Sequence, residues 1–126
     1  MIAYLDTHVA IWLAAAEIKR ISSRALATVR RSDVLLSPMV LLELEYLYEI
    51  GRSRIRAQDT LRKLEMELGL RLCELSFAAV VSTALHETWS RDPFDRMIVA
   101  QAKANGLAWL ISADEHIAKQ YPRTIW

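Results

Sequence analysis

Apolar residues gather in short unbroken runs along this chain, separated by longer stretches of helical periodicity. IAYL (2–5) and VLLS (34–37) lack the in-and-out alternation of half-exposed strands, so each predicts a buried strand, and LRLCEL (70–75) and LAWLI (107–111) predict two further strands. Between them lie helical segments with start and stop signals. Thr7 is placed to cap THVAIWLAAA, and Ser22 and Ser23 precede RALATVRR. Ser37 and Pro38 open MVLLELEYLYEI, which Gly51 ends, and Asp59 is placed to cap TLRKLEMEL, which closes at Gly69. Ser76 opens FAAVVSTALHETW, and Asp92 with Pro93 opens FDRMIVAQAKAN, ending at Gly106. A short helix follows DEH, and the terminal TIW adds a small strand. The order β-α-α-β-α-α-β-α-α-β-α, with that last strand, predicts an α/β fold. Its centre is a parallel sheet of four or five strands, flanked by helices on both faces.

The chain has 126 residues, 53% of them hydrophobic, which suits one domain over residues 1–126. Such a chain buries roughly two thirds of its unfolded surface, so neither metal nor disulfide is needed merely to fold it. Cys73 is the only cysteine and, within LRLCEL, reads as a buried thiol. MIAYLDTH lacks the basic region and long apolar run of a secretory leader. No uncharged stretch approaches the ~20 residues that span a bilayer. The expectation is a cytoplasmic protein without a membrane partner. Sixteen basic residues against 15 acidic ones give a net charge of +1, which decides nothing about nucleic acid. Distribution says more: Lys19, Arg20, Arg24, Arg30 and Arg31 cluster early, and GRSRIR brings Arg52, Arg54 and Arg56 together as candidate phosphate contacts. A solvated helix face and loop explain the same charges.

Ligands of parallel α/β folds sit beyond the carboxyl ends of the strands. Asp6 ends the first predicted strand, Asp114 follows LAWLIS, Glu43 lies on the helix after VLLS, and Asp95 falls in the first turn of another helix. One sheet edge can therefore gather four carboxylates, which repel one another unless a cation sits among them. Oxygen donors without a nearby cysteine or an HExxH arrangement point to Mg2+ or Mn2+ rather than zinc. Such an ion polarises water for attack on a phosphodiester, so a nuclease is indicated, and a phosphatase or phosphotransferase would need much the same cluster. Plainer roles exist for each acid. Asp6 and Asp114 can cap the helices that follow, and Asp92, Pro93 and Asp95 form a capping-box-like start for theirs. Glu45 competes with Glu43, because two positions apart on a helix they face different ways. His8, His86 and His116 are scattered, and Trp12, Trp89, Trp109 and Trp126 read as core or interface groups. The leucines and tyrosines of LLELEYLYEI exceed what one helix face must bury, which suits a dimer or a protein partner.

YLDTHVAIWL, LSPMVLLELEYL and RDPFDRMIVAQAKANGLAWLISAD, in this order and spacing, resemble PIN-domain ribonucleases, in particular the VapC toxins of bacterial toxin–antitoxin pairs. The resemblance covers essentially the whole chain. It implies that Asp6, Glu43 (as the acid of the SPxxxxE form), Asp95 and Asp114 are the catalytic, metal-binding acids. It further implies that Ser112 orders the site and that Asp92 orients a ligand or a metal water. The implied activity is Mg2+- or Mn2+-dependent endonucleolytic cleavage of structured RNA such as tRNA or rRNA, leaving a 3′-hydroxyl and a 5′-phosphate. The implied partners are a second copy of the chain and a small cognate antitoxin that inserts a basic side chain into the acidic pocket. His116 stands where relatives often carry another acid, which weakens a second metal position. Two other readings compete: a housekeeping PIN nuclease of RNA processing, and an inactive PIN-fold binding module whose acids serve only as caps. A receiver domain also gathers acids at a sheet edge, yet the chain lacks its early acidic pair and late lysine.

Overall fold

The computed structural model describes all 126 residues. Strand β1 (Ile2–Leu5) leads into α1 (Thr7–Ala14), a 3-10 turn at Ile18–Arg20 and α2 (Ser23–Arg31). Strand β2 (Asp33–Leu36) is followed by α3 (Pro38–Glu49) and α4 (Ala57–Leu68). After β3 (Arg71–Leu72) come α5 (Phe77–Ala84), α6 (Pro93–Ala104), β4 (Trp109–Ile111), α7 (Glu115–Gln120) and β5 (Thr124–Ile125). The five strands form one parallel sheet in the order β3-β2-β1-β4-β5. No helix is long and apolar enough to cross a membrane.

Register aligns the carboxyl ends that matter. Leu5 pairs with Ile111, and the Asp6 amide donates to the Ile111 carbonyl at 3.0 Å. The chain runs from β1 outward to β2 and β3, then returns to place β4 on the other side of β1. The order reverses between β1 and β4, and that is where open α/β sheets leave a crevice for ligands. Ala3, Tyr4, Leu5, Leu36, Leu110 and Ile111 are all buried, as the unbroken apolar runs require. They belong to a main core of 28 residues, while Val80, Ala84, Met97 and Ala100 form a satellite core where α5 meets α6. Cys73 is buried and accepts hydrogen bonds from the Tyr4 hydroxyl at 3.0 Å and the Gln101 amide at 3.2 Å.

Element order agrees with the sequence reading, but several ends differ. Of the two caps the sequence offers for α1, Asp6 serves and Thr7 does not, the Asp6 carboxylate accepting from the Thr7 amide at 2.8 Å. Helix α4 begins at Ala57, with Arg56 at the cap position, so Asp59 lies in the first turn instead of capping. Only two residues of LRLCEL pair as strand, since β3 is a sheet edge. The HETW end of the helix predicted after Ser76 is a turn. Burial of Glu87 folds it back, with its carboxylate bound to Lys103 at 2.5 Å and to the Trp89 indole at 2.6 Å.

Candidate active site

Asp6, Glu43, Asp92, Asp95 and Asp114 line one cavity of about 390 Å³, together with His8 and Trp12. Each acid arrives from a different constraint. Asp6 extends the central strand β1 and is nearly sealed, with 8% of its surface exposed. Its second oxygen accepts from the buried Ser112 hydroxyl at 2.5 Å, and that same hydroxyl accepts from the Asp114 amide at 3.1 Å. Ser112 thus ties the ends of β1 and β4 across the switch point.

Glu43 and Glu45 part company on α3. Glu43 turns into the cavity, where the buried Thr7 hydroxyl donates a short hydrogen bond to it. Glu45 points elsewhere and pairs with Arg56 at 3.2 Å. Thr7 is a site residue that the sequence did not disclose; its signal was only a hydroxyl beside Asp6.

Asp92 caps α6, accepting from the Phe94 amide at 2.8 Å and the Asp95 amide at 3.4 Å. The reciprocal half of a capping box is missing, because the Asp92 amide donates to Ser90 Oγ at 3.0 Å instead of to Asp95. Asp95 is therefore not spent on the helix start, and its carboxylate lies in the cavity. Asp114 caps α7 through the His116 and Ile117 amides at 2.8 and 3.1 Å, while also lining the cavity. Capping and site roles coexist in both residues.

Electrostatics mark the cavity as strained. Burial raises the pKa of Asp6 and of Glu43, with repulsion from Asp114 adding to the first rise and repulsion from Asp6 and Asp92 to the second. Burial also lifts Asp95, assisted by repulsion from Asp92, Asp6, Asp114 and Glu43, to about 7. No lysine or arginine forms an ion pair with any of these five carboxylates. An all-oxygen donor set with uncompensated negative charge fits a hard divalent ion. No three of the acidic or histidine side chains converge tightly enough to enclose an ion by themselves. That is compatible with Mg2+, which keeps several waters and takes only one or two carboxylates directly.

The basic loop divides. Arg52 and Arg54 line a larger groove of about 1260 Å³ that shares His8, Trp12, Glu43 and Asp92 with the acidic cavity. Arg56 lies outside that groove, paired with Glu45, its guanidinium 5.1 Å from the Tyr48 ring centre. Arg20 and Lys63 also line the groove. His116 packs edge-on against Trp89 at 5.1 Å between ring centres and does not line the cavity.

A sequence model described as the PIN domain matches residues 3–121. No curated protein matches the chain. Among solved structures, the fold is similar to a VapBC2 complex from Rickettsia felis bound to a DNA fragment from its promoter, at a TM-score of 0.66 and 18% identity, over 99% of this chain and 96% of that one. It is also similar to a toxin–antitoxin complex from Klebsiella pneumoniae, at a TM-score of 0.59 and 14% identity, over 98% of this chain and 96% of that one.

Proposed function

We propose that this chain, which belongs to the PIN domain family over residues 3–121, is a metal-dependent endoribonuclease and the toxin of a toxin–antitoxin pair. The observation that carries the reading is the gathering of Asp6, Glu43, Asp95 and Asp114 in one cavity without a basic partner. Caps alone do not account for it, because Glu43 and Asp95 cap nothing and both face the cavity. A bound Mg2+ or Mn2+ would supply Lewis acidity there, polarising water and offsetting charge on the phosphoryl oxygens.

The chain's own residues do the rest. Asp6, fixed by Ser112 and the Thr7 amide, and Asp95, freed from the capping box, would hold the ion, with Glu43 and Asp114 completing the set. Thr7 fixes the Glu43 carboxylate, so Glu43 and the exposed Asp114 are placed to orient the attacking water. That water's oxygen bonds to phosphorus as the bond to the 3′-oxygen breaks. The water gives up a proton to solvent and the 3′-oxygen takes one up from solvent, giving a 3′-hydroxyl and a 5′-phosphate. Asp92 steadies the start of α6 and with it the position of Asp95.

The toxin role and the antitoxin partner draw support from the two similar assemblies. A homodimer draws support from apolar side chains left open on two helices: Leu42 and Tyr46 on α3, Phe77 and Leu85 beside or on α5. The test is incubation of partner-free protein with total cellular RNA in Mg2+, in Mn2+ and in chelator. Discrete fragments with 5′-phosphates, formed only with metal, are expected. Intact RNA in both metals, with folded protein, would remove the assignment.

A further inference from the structure

Resting on the nuclease reading, we infer that buried Glu87 is a positioning residue for the acidic site. Through the Trp89 indole it holds the first turn of α7, and with it Asp114, in place for the ion. Of the four acids, Asp114 has the least support of its own. Asp6 is nearly sealed and bound by Ser112 and the Thr7 amide, and Glu43 is held by the Thr7 hydroxyl. Asp95 stands on the 12-residue α6. Asp114 is exposed, and it begins a helix of six residues in which only Ile117 is buried. Its amide is tied to Ser112, but its carboxylate is held by the His116 and Ile117 amides and therefore turns with α7. A helix that short has little stability of its own and takes its place from what packs against it.

One ion pair reaches both ends of that helix. Glu87, 3% exposed, has each carboxylate oxygen engaged. One accepts from the Trp89 indole at 2.6 Å, and the other pairs at 2.5 Å with Lys103 in the last turn of α6. Trp89 in turn meets the His116 ring edge-on, with 5.1 Å between centres, in the first turn of α7. At the far end, the Lys103 ammonium lies 5.8 Å from the centre of the Tyr121 ring, where α7 stops. The Tyr121 hydroxyl donates to the Ala108 carbonyl just before β4. Neither Glu87 nor Trp89 lines the acidic cavity, so both act on it through α7.

Stability does not account for this arrangement. Desolvation of a buried ion pair offsets its attraction, and apolar side chains of like volume hold two helices together as well. What they cannot do is accept a hydrogen bond from the indole and so fix how that ring is turned. The distinct effect of Glu87 is orientation. A directional hydrogen bond sets Trp89, Trp89 sets His116, and the His116 amide is one of the two that hold the Asp114 carboxylate. Groups that orient a metal-binding side chain without touching the ion contribute about 10-fold or more to its affinity.

Calorimetric titration of the full chain with Mn2+, free of RNA and of any partner, tests this. Glu87→Leu/Lys103→Met removes both charges together, so the net charge is unchanged and only the indole loses its partner. This variant should bind Mn2+ about 10-fold more weakly, with a melting temperature in chelator close to that of wild type. Its His116 ring signals, which the Trp89 ring shifts in wild type, should move in NMR spectra. Trp89→Phe keeps the ion pair and a ring but lacks the N–H, and should show the same loss by itself. Glu87→Gln/Lys103→Met returns an uncharged acceptor to the indole and should restore affinity to within about 3-fold of wild type. Added to Asp114→Asn, Glu87→Leu/Lys103→Met should cost no more than about 2-fold further, because its effect runs through Asp114. Wild-type affinity in folded Glu87→Leu/Lys103→Met or in Trp89→Phe overturns the inference. So does a full loss in Glu87→Gln/Lys103→Met, or full additivity with Asp114→Asn. In each of these cases Mn2+ binding and RNA cleavage by wild type leave the nuclease standing. Wild type that neither binds Mn2+ nor cuts RNA removes the nuclease itself and the inference with it.

Discussion

Asp95 gives up its proton only near pH 7, because burial penalises its charge and four other carboxylates repel it. The folded protein therefore holds a proton that the unfolded chain releases near the ordinary value of 3.8. Stability from this group is fully present below that value, declines as pH rises, and is gone above about 7. In chelator, Asp95→Asn should raise the melting temperature more at pH 8 than at pH 5, and least below the ordinary value of 3.8, where Asp95 is neutral in folded and unfolded chains alike. An equal change at both pH values would contradict this. Mn2+ must displace the same proton, so its affinity for wild type should climb as pH passes through about 7. At this scale the sequence shows which acids are candidates but not which way they face. The choice between Glu43 and Glu45 depends on the Thr7 hydroxyl and on Arg56, one a distant residue in sequence and the other across a loop. Glu45→Gln should keep cleavage near wild type, while Glu43→Gln should reduce it about 100-fold or more in the same assay.

Helix α6 carries two functions at its first turn, and substitution at Asp92 separates them. Asp92→Ala removes a side chain that accepts from two amides and should cost about 1 kcal/mol in denaturant unfolding. Asp92→Asn retains the cap and should fall within a few tenths of a kcal/mol of wild type. It also removes the largest neighbouring repulsion on Asp95, whose pKa should fall toward its ordinary range when followed by NMR. Equal destabilisation by both substitutions would show that the cap is not the origin of the effect. Elements of this kind are legible because their signals are local: Asp-Pro at one start, Ser-Pro at another, unbroken apolar runs for the buried strands. Ends governed by distant groups are not legible. Nothing within HETW announces that Glu87 will find Lys103, 16 positions on, and stop α5 at Ala84. The brevity of β3 likewise reflects its edge position, which only the assembled sheet determines.

Across the whole molecule, the reversal of strand order between β1 and β4 brings Asp6 and Asp114 together, and the flanking helices add Glu43 and Asp95. Alternating α/β signals predict a parallel sheet without giving its strand order, so the sequence could name an edge that gathers acids but not the crevice within it. The proposed homodimer has its own consequence at this scale. Sedimentation of wild type should give the mass of two chains, and Phe77→Glu, at a side chain 70% exposed, should give one chain without loss of helix content. A wild-type monomer at micromolar concentration would contradict it. The central claim, that the sealed carboxylate at the end of the central strand serves phosphodiester cleavage through a divalent ion, is reached most directly by one comparison. It is the rate at which wild type and folded Asp6→Asn protein cut the same end-labelled RNA in saturating Mn2+. The account predicts at least about 100-fold slower cutting by the variant, and a rate equal to wild type would contradict it.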